Sequence, residues 1–287
     1  MTDASPEPPP PTRVLARALA RAAAGTSRAH RPGPPPVPEM PVQPLVTVAV
    51  VALAGLLAIT AFAGPSMVAL AVALCAGVLA WGWGALLGLP SPRGTTLVLA
   101  VGSVGAVVTV SVTRSDPFLA WMPATLAGSM IVAFLHQLAR RDGRPRLVES
   151  TASTITAIAI VVSGASLVAL PRLENGAWVV AIASAALAAS AVTDLAGASR
   201  RLLPWLLPMA MVAGAVAAFL VGSGIGDVAW GAAVLVGVLA GGVSHAVRRV
   251  LATLPAISTA RSQLVSASAS MLTGGVVIYV VGRLLIA

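Results

Sequence analysis

The sequence contains no lysine; all 18 of its basic residues are arginine. A Walker-type phosphate loop requires a lysine, so this chain carries no ATPase of that kind. Acids are scarce, 9 in 287 residues, and no paired aspartates are present to hold Mg²⁺ for a diphosphate-using transferase. That scarcity also weighs against ion-driven transport through several coupling carboxylates. The single cysteine, Cys75, can form neither an internal disulfide nor a two-cysteine metal site, and reads as a small buried hydrophobe. The histidines stand apart, without an HExxH pattern and without an acid three or four residues away. No metal or cofactor is therefore expected, and no catalytic residue is assigned.

Charge itself is the largest deficit. Only 9% of residues are charged and 57% are apolar, against the roughly 25% charged of an ordinary soluble domain. Uncharged runs recur at close to the ~20 residues that a helix needs to cross ~30 Å of hydrocarbon. The predicted fold class is therefore all-α, a polytopic helical membrane protein. Nine crossings are expected at about 45–63, 66–87, 95–113, 118–139, 150–170, 177–197, 203–222, 228–247 and 263–284. The first uncharged run is too long for one helix and is expected to turn at Gly64 and Pro65. The alternative is a kink at Pro65, since proline is tolerated within membrane helices.

Residues 1–44 form a separate arm rich in arginine and proline. Arg13, Arg17 and Arg21 repeat every four residues and share one helical face, so a short interfacial helix at 12–24 competes with a solvated basic tail. The prolines that follow predict an extended spacer. The bundle then occupies 45–287.

Threading nine crossings with the N-terminus inside leaves only Arg114, Arg172 and Arg283 on the outer face. The bias against translocating arginine in short loops therefore predicts a cytoplasmic N-terminus and an outer C-terminus. The Ala- and Arg-rich usage fits a GC-rich bacterial genome, which makes the expected location a bacterial cytoplasmic membrane. Nucleic acid is not expected as a partner, because the arginines are spread over several loops without interleaved aromatics.

Acid-Ala-Trp entries near 116, 174 and 227, each followed after one crossing by an Arg-Arg pair, fit either a duplicated two-helix unit or ordinary membrane anchoring. Ser262, Ser266 and Ser270, spaced by four, share a helix face that reads as a packing seam or as the wall of a polar path.

Charged or titratable groups at membrane depth carry the most functional information. His136, Glu149, Asp194 and His245 all fall toward the cytoplasmic side, beside Arg140, Arg141, Arg200, Arg201, Arg248 and Arg249. If they converge, they form a rim suited to a phosphate or phospholipid head group, which arginine grips bidentately. The competing reading pairs Asp194 locally with Arg200 or Arg201 and leaves His136 at the head groups. The expected function is a carrier or lipid-handling protein for an anionic or amphiphilic small molecule. The alternatives are a non-catalytic subunit or scaffold of an envelope-building or transport system, or a membrane-embedded enzyme acting on a lipid. The expected partners are membrane lipids with anionic head groups and other proteins of the membrane.

Overall fold

The computed structural model describes residues 43–224 and 228–286. The proposed arm helix at 12–24 lies outside the described residues. Among the described residues the protein is all-helical, and nine segments are long and apolar enough to cross a membrane. It is a multi-pass helical membrane protein.

Proline sets several starts, because its missing N–H costs nothing in the first turn of a helix. Helices α1 (Pro44–Ala63), α2 (Pro65–Leu86) and α3 (Pro92–Val112) each open on one. Between α1 and α2 stands Gly64 at φ 108°, a conformation in which a side chain would be strained. The two helices pack on each other, so the first run is a hairpin and the kink alternative fails. Helix α4 (Met122–Ala139) begins later than the expected 118, because residues 115–121 form turns after α3.

Two crossings change helix type near their ends. Helix α5 (Leu147–Ala165) tightens into a 3₁₀ helix at Ser166–Arg172, and α6 (Gly176–Thr193) continues as 3₁₀ over Asp194–Ala198. After a short 3₁₀ turn at Leu203–Trp205 come α7 (Leu206–Gly222) and α8 (Trp230–Leu251). The ninth crossing, expected as one helix over 263–284, is instead broken into α9 (Ala260–Thr273) and α10 (Gly275–Leu285).

Helix α9 is the centre of the bundle and packs against α1, α2, α5 and α8. Ser262, Ser266 and Ser270 are buried there, which makes their stripe a packing seam along most of its length. Where α9 breaks, Ser163 of α5 restores the hydrogen bonding. Its hydroxyl donates to the Thr273 carbonyl at 2.8 Å and accepts from the Val276 N–H at 3.0 Å. A side chain on Gly275 would strike the Ser163 carbonyl, so the two chains meet backbone to backbone.

The seam between α7 and α8 is equally close. A Cβ added to Gly237 would come within 2.4 Å of the Gly214 carbonyl, and Gly241 meets Ala210 in the same way. Small residues four apart permit this approach and the dispersion contacts that hold membrane helices together.

The connections sort the charges between two ends. At one end Arg146 reaches the Gly88 carbonyl and Arg261 lies over the Trp81 ring at 4.3 Å. At the other, Arg172 donates to the carbonyls of Val110, Ser111 and Thr113 and so closes the last turn of α3, while Arg283 pairs with Asp116. Trp121 and Trp230 are exposed at this second end, as expected of interfacial anchors.

Candidate functional site

The ends of α6 and α8 meet at the arginine-rich end. Asp194 begins the 3₁₀ continuation of α6, and His245 and Arg248 follow each other by about one turn of α8. One carboxylate oxygen of Asp194 is 2.7 Å from His245 Nδ1; the other accepts from Arg248 Nε at 2.5 Å. Arg248 also donates to Ser244 at 2.5 Å and to Ser190 at 3.1 Å, and Ser190 in turn donates to the Gly241 carbonyl at 2.8 Å. His245 and Arg248 are each only 4% exposed. A guanidinium so far from water persists only when its donors are filled, and here three side chains, Asp194, Ser244 and Ser190, fill them.

This arrangement corrects the local pairing. Asp194 is held by Arg248, 54 residues away, and not by Arg200 or Arg201. Residues 199–201 lie in an exposed turn beyond the 3₁₀ segment, whereas the packing of α6 on α8 brings Arg248 directly beneath the carboxylate.

Beside the cluster lies a cavity of about 60 Å³, bounded by Asp194, His245, Arg248, Arg249, Ser266 and Gln43 among others. It has room for a few waters or one compact polar group. Two of its donors are unused. Among the described residues Arg249 makes no hydrogen bond or ion pair and the buried Gln43 Nε2 has no partner. With Arg248 neutralised by Asp194, Arg249 leaves the wall with net positive charge and spare N–H groups, a setting for an acceptor-bearing anion.

Sequence reasoning missed Gln43, Ser190 and Ser244. The available signals were a polar residue directly before the first crossing, and spacings of four from Ser190 to Asp194 and from Ser244 to Arg248. The chemistry open to the cluster is also limited. An Asp–His pair can orient a base, but among the described residues Ser266 makes no hydrogen bond to the ring.

The remaining candidates sit elsewhere on the same end. His136 packs its ring against Gly94, where a Cβ would overlap it, and its buried Nδ1 has no partner among the described residues. Arg140 is buried and donates to Gln137 at 2.8 Å and, through two nitrogens, to Asp142; Gln137 continues the chain to Ser150 at 2.9 Å. These bonds clasp α4 to α5. The Arg140 guanidinium holds the Asp142 carboxyl below the usual carboxylate range. Glu149 pairs with Arg146 three residues before it, and Arg141 is exposed without a partner among the described residues. Arg200 and Arg201 are exposed. The structure thus brings Asp194, His245, Arg248 and Arg249 to one cavity, while His136, Arg140, Arg141 and Glu149 belong to the α4–α5 hairpin.

No known protein family, curated protein or solved structure matches this chain.

Proposed function

We propose that the protein is a carrier or lipid-handling protein of a bacterial cytoplasmic membrane, with its arginine-rich end in the cytoplasm and its C-terminus outside. Its ligand is an anionic or amphiphilic small molecule, held at the cavity beside Asp194. The observation that carries this reading is the pair of unused donors, Arg249 and Gln43 Nε2, in a cavity whose other charges are internally matched. The asymmetric distribution of arginine supports the orientation through the positive-inside bias.

The test uses the purified full chain in detergent. Glycerol phosphate at a hundred times its dissociation constant stabilises a one-site protein by about 2.7 kcal/mol. The expected result is a rise in melting temperature that is lost in Arg249→Gln. Equal behaviour of wild type and variant toward glycerol phosphate and inorganic phosphate, together with a stoichiometric co-purifying protein, would favour the scaffold instead.

A further inference from the structure

The polar cavity is too small to enclose more than a phosphate-sized group, so a larger ligand must continue outside it. A second recess opens where the end of α6 meets α7, the helix whose Leu206 also lines the cavity. This is an open apolar groove of about 610 Å³ between α6 and α7, whose walls include Ala189, Thr193, Met209, Ala213, Val216 and Ala217. Thr193 adjoins Asp194 in the chain, and Pro208 of the groove follows Leu206 of the cavity by two residues. The packing of α7 explains why the groove exists. Its Gly214 and Ala218 are spent against α8, which leaves Ala213 and Ala217 to form a shallow floor on another face.

From Pro208 to Leu220 the groove follows α7 for about 18 Å at 1.5 Å per residue. One leaflet of a hydrocarbon core is about 15 Å deep, half of the ~30 Å total. A cationic, donor-bearing recess at the membrane end and an apolar channel of leaflet depth, lined by residues adjacent to it in the chain, match the two halves of a single amphiphile.

We propose that the site takes one glycerophospholipid, its phosphate at Arg249 and Gln43 and one acyl chain along the α6–α7 groove. This rests on the anion site proposed above and adds the class of ligand. Arg249 is then the contact that selects an anionic head group, while Asp194 acts as a positioning residue that fixes Arg248 and His245 and keeps the first from competing for the phosphate.

The experiment incubates the full-length protein in detergent with phosphatidylglycerol or phosphatidylcholine of identical chains and measures retained lipid by native mass spectrometry. Phosphatidylglycerol should be retained at one per chain and in preference to phosphatidylcholine. Retention should fall about tenfold in Arg249→Gln, the scale of one charge-assisted hydrogen bond, and also fall in the paired groove-filling variant Ala213→Leu with Ala217→Leu. Should that pair fail to fold, a phosphatidylglycerol with a photoreactive acyl chain should label wild type within residues 208–220. Glycerol phosphate, which has no acyl chain, should stabilise the protein through Arg249 alone. If that stabilisation depends on Arg249 while lipid retention ignores the groove and labelling falls elsewhere, the lipid inference is overturned and the anion site stands. If neither ligand responds to Arg249→Gln, both are overturned.

Discussion

Replacing Asp194 by alanine removes the only carboxylate among the described residues that faces Arg248, and the geometry sets the scale of the loss. Arg248 is 4% exposed and would keep only Ser244 and Ser190, while His245 Nδ1 would lose its acceptor. Stranding one member of a buried ion pair costs about 3–5 kcal/mol. The lower figure applies here, since the Asp194 side chain is itself 25% exposed and the adjoining cavity can admit water. At about 2–4 °C per kcal/mol this lowers the melting temperature by about 6–12 °C. Asp194→Asn should cost roughly half as much. Its oxygen can still accept from Arg248, and its amide can donate to His245 Nδ1 once the ring proton moves to Nε2, so the charge is lost but the hydrogen bonds survive. Adding Arg248→Met to Asp194→Ala should recover much of the stability, because an apolar side chain has no charge to strand. The assay is thermal unfolding of purified variants in one detergent. An alanine variant within about 1 °C of wild type would refute the buried-pair argument, as would a double variant less stable than Asp194→Ala.

Other consequences follow from the packing and the charges. Gly237→Val should weaken the α7–α8 seam by about 1–3 kcal/mol, the usual scale of overpacking, whereas Gly231→Val, with open space around it, should melt near wild type. Asp142 is held below the usual aspartate range by Arg140, so its stabilising pairing is complete above the unfolded value near 3.8 and is lost as pH falls through the lower folded one. Asp142→Asn should accordingly flatten the acid limb of the melting profile, and an unchanged limb would sink the clasp reading. Single cysteines placed at 143 and 199 should react with an impermeant reagent only from the cytoplasmic side, and those at 115 and 174 only from outside. The reverse pattern would invert the proposed orientation.

The crossings were legible because each requires a long uncharged run, and hydrocarbon allows few exceptions. Their ends were less so, since polar residues such as Ser150 and Thr151 are compatible with helix or loop at the interface. The depth of Asp194 and His245 could be read from chain position, but their contact could not. It depends on which face of α6 meets α8, and that is set by small-residue seams such as Gly237 and Gly241 that look alike in many helices. Local proximity favoured Arg200 and Arg201 as partners; tertiary packing gave the place to Arg248. His136 and Glu149 shared the depth of the site without sharing its helices. The break at Gly274 was hidden because glycine pairs are ordinary in membrane helices, and nothing local in the sequence announces Ser163 as the group that bridges it.

That bridge bears on the order in which the protein is made. At 14 and 11 residues, α9 and α10 reach about 21 and 17 Å, and neither alone traverses ~30 Å of hydrocarbon. The backbone groups released at their junction are satisfied by Ser163, which leaves the ribosome more than a hundred residues earlier. The last span can therefore settle as a complete crossing only once the fifth is already in the bilayer and turned toward it. Biogenesis of this bundle ends with its centre, and a chain halted before residue 260 would lack the helix at its axis.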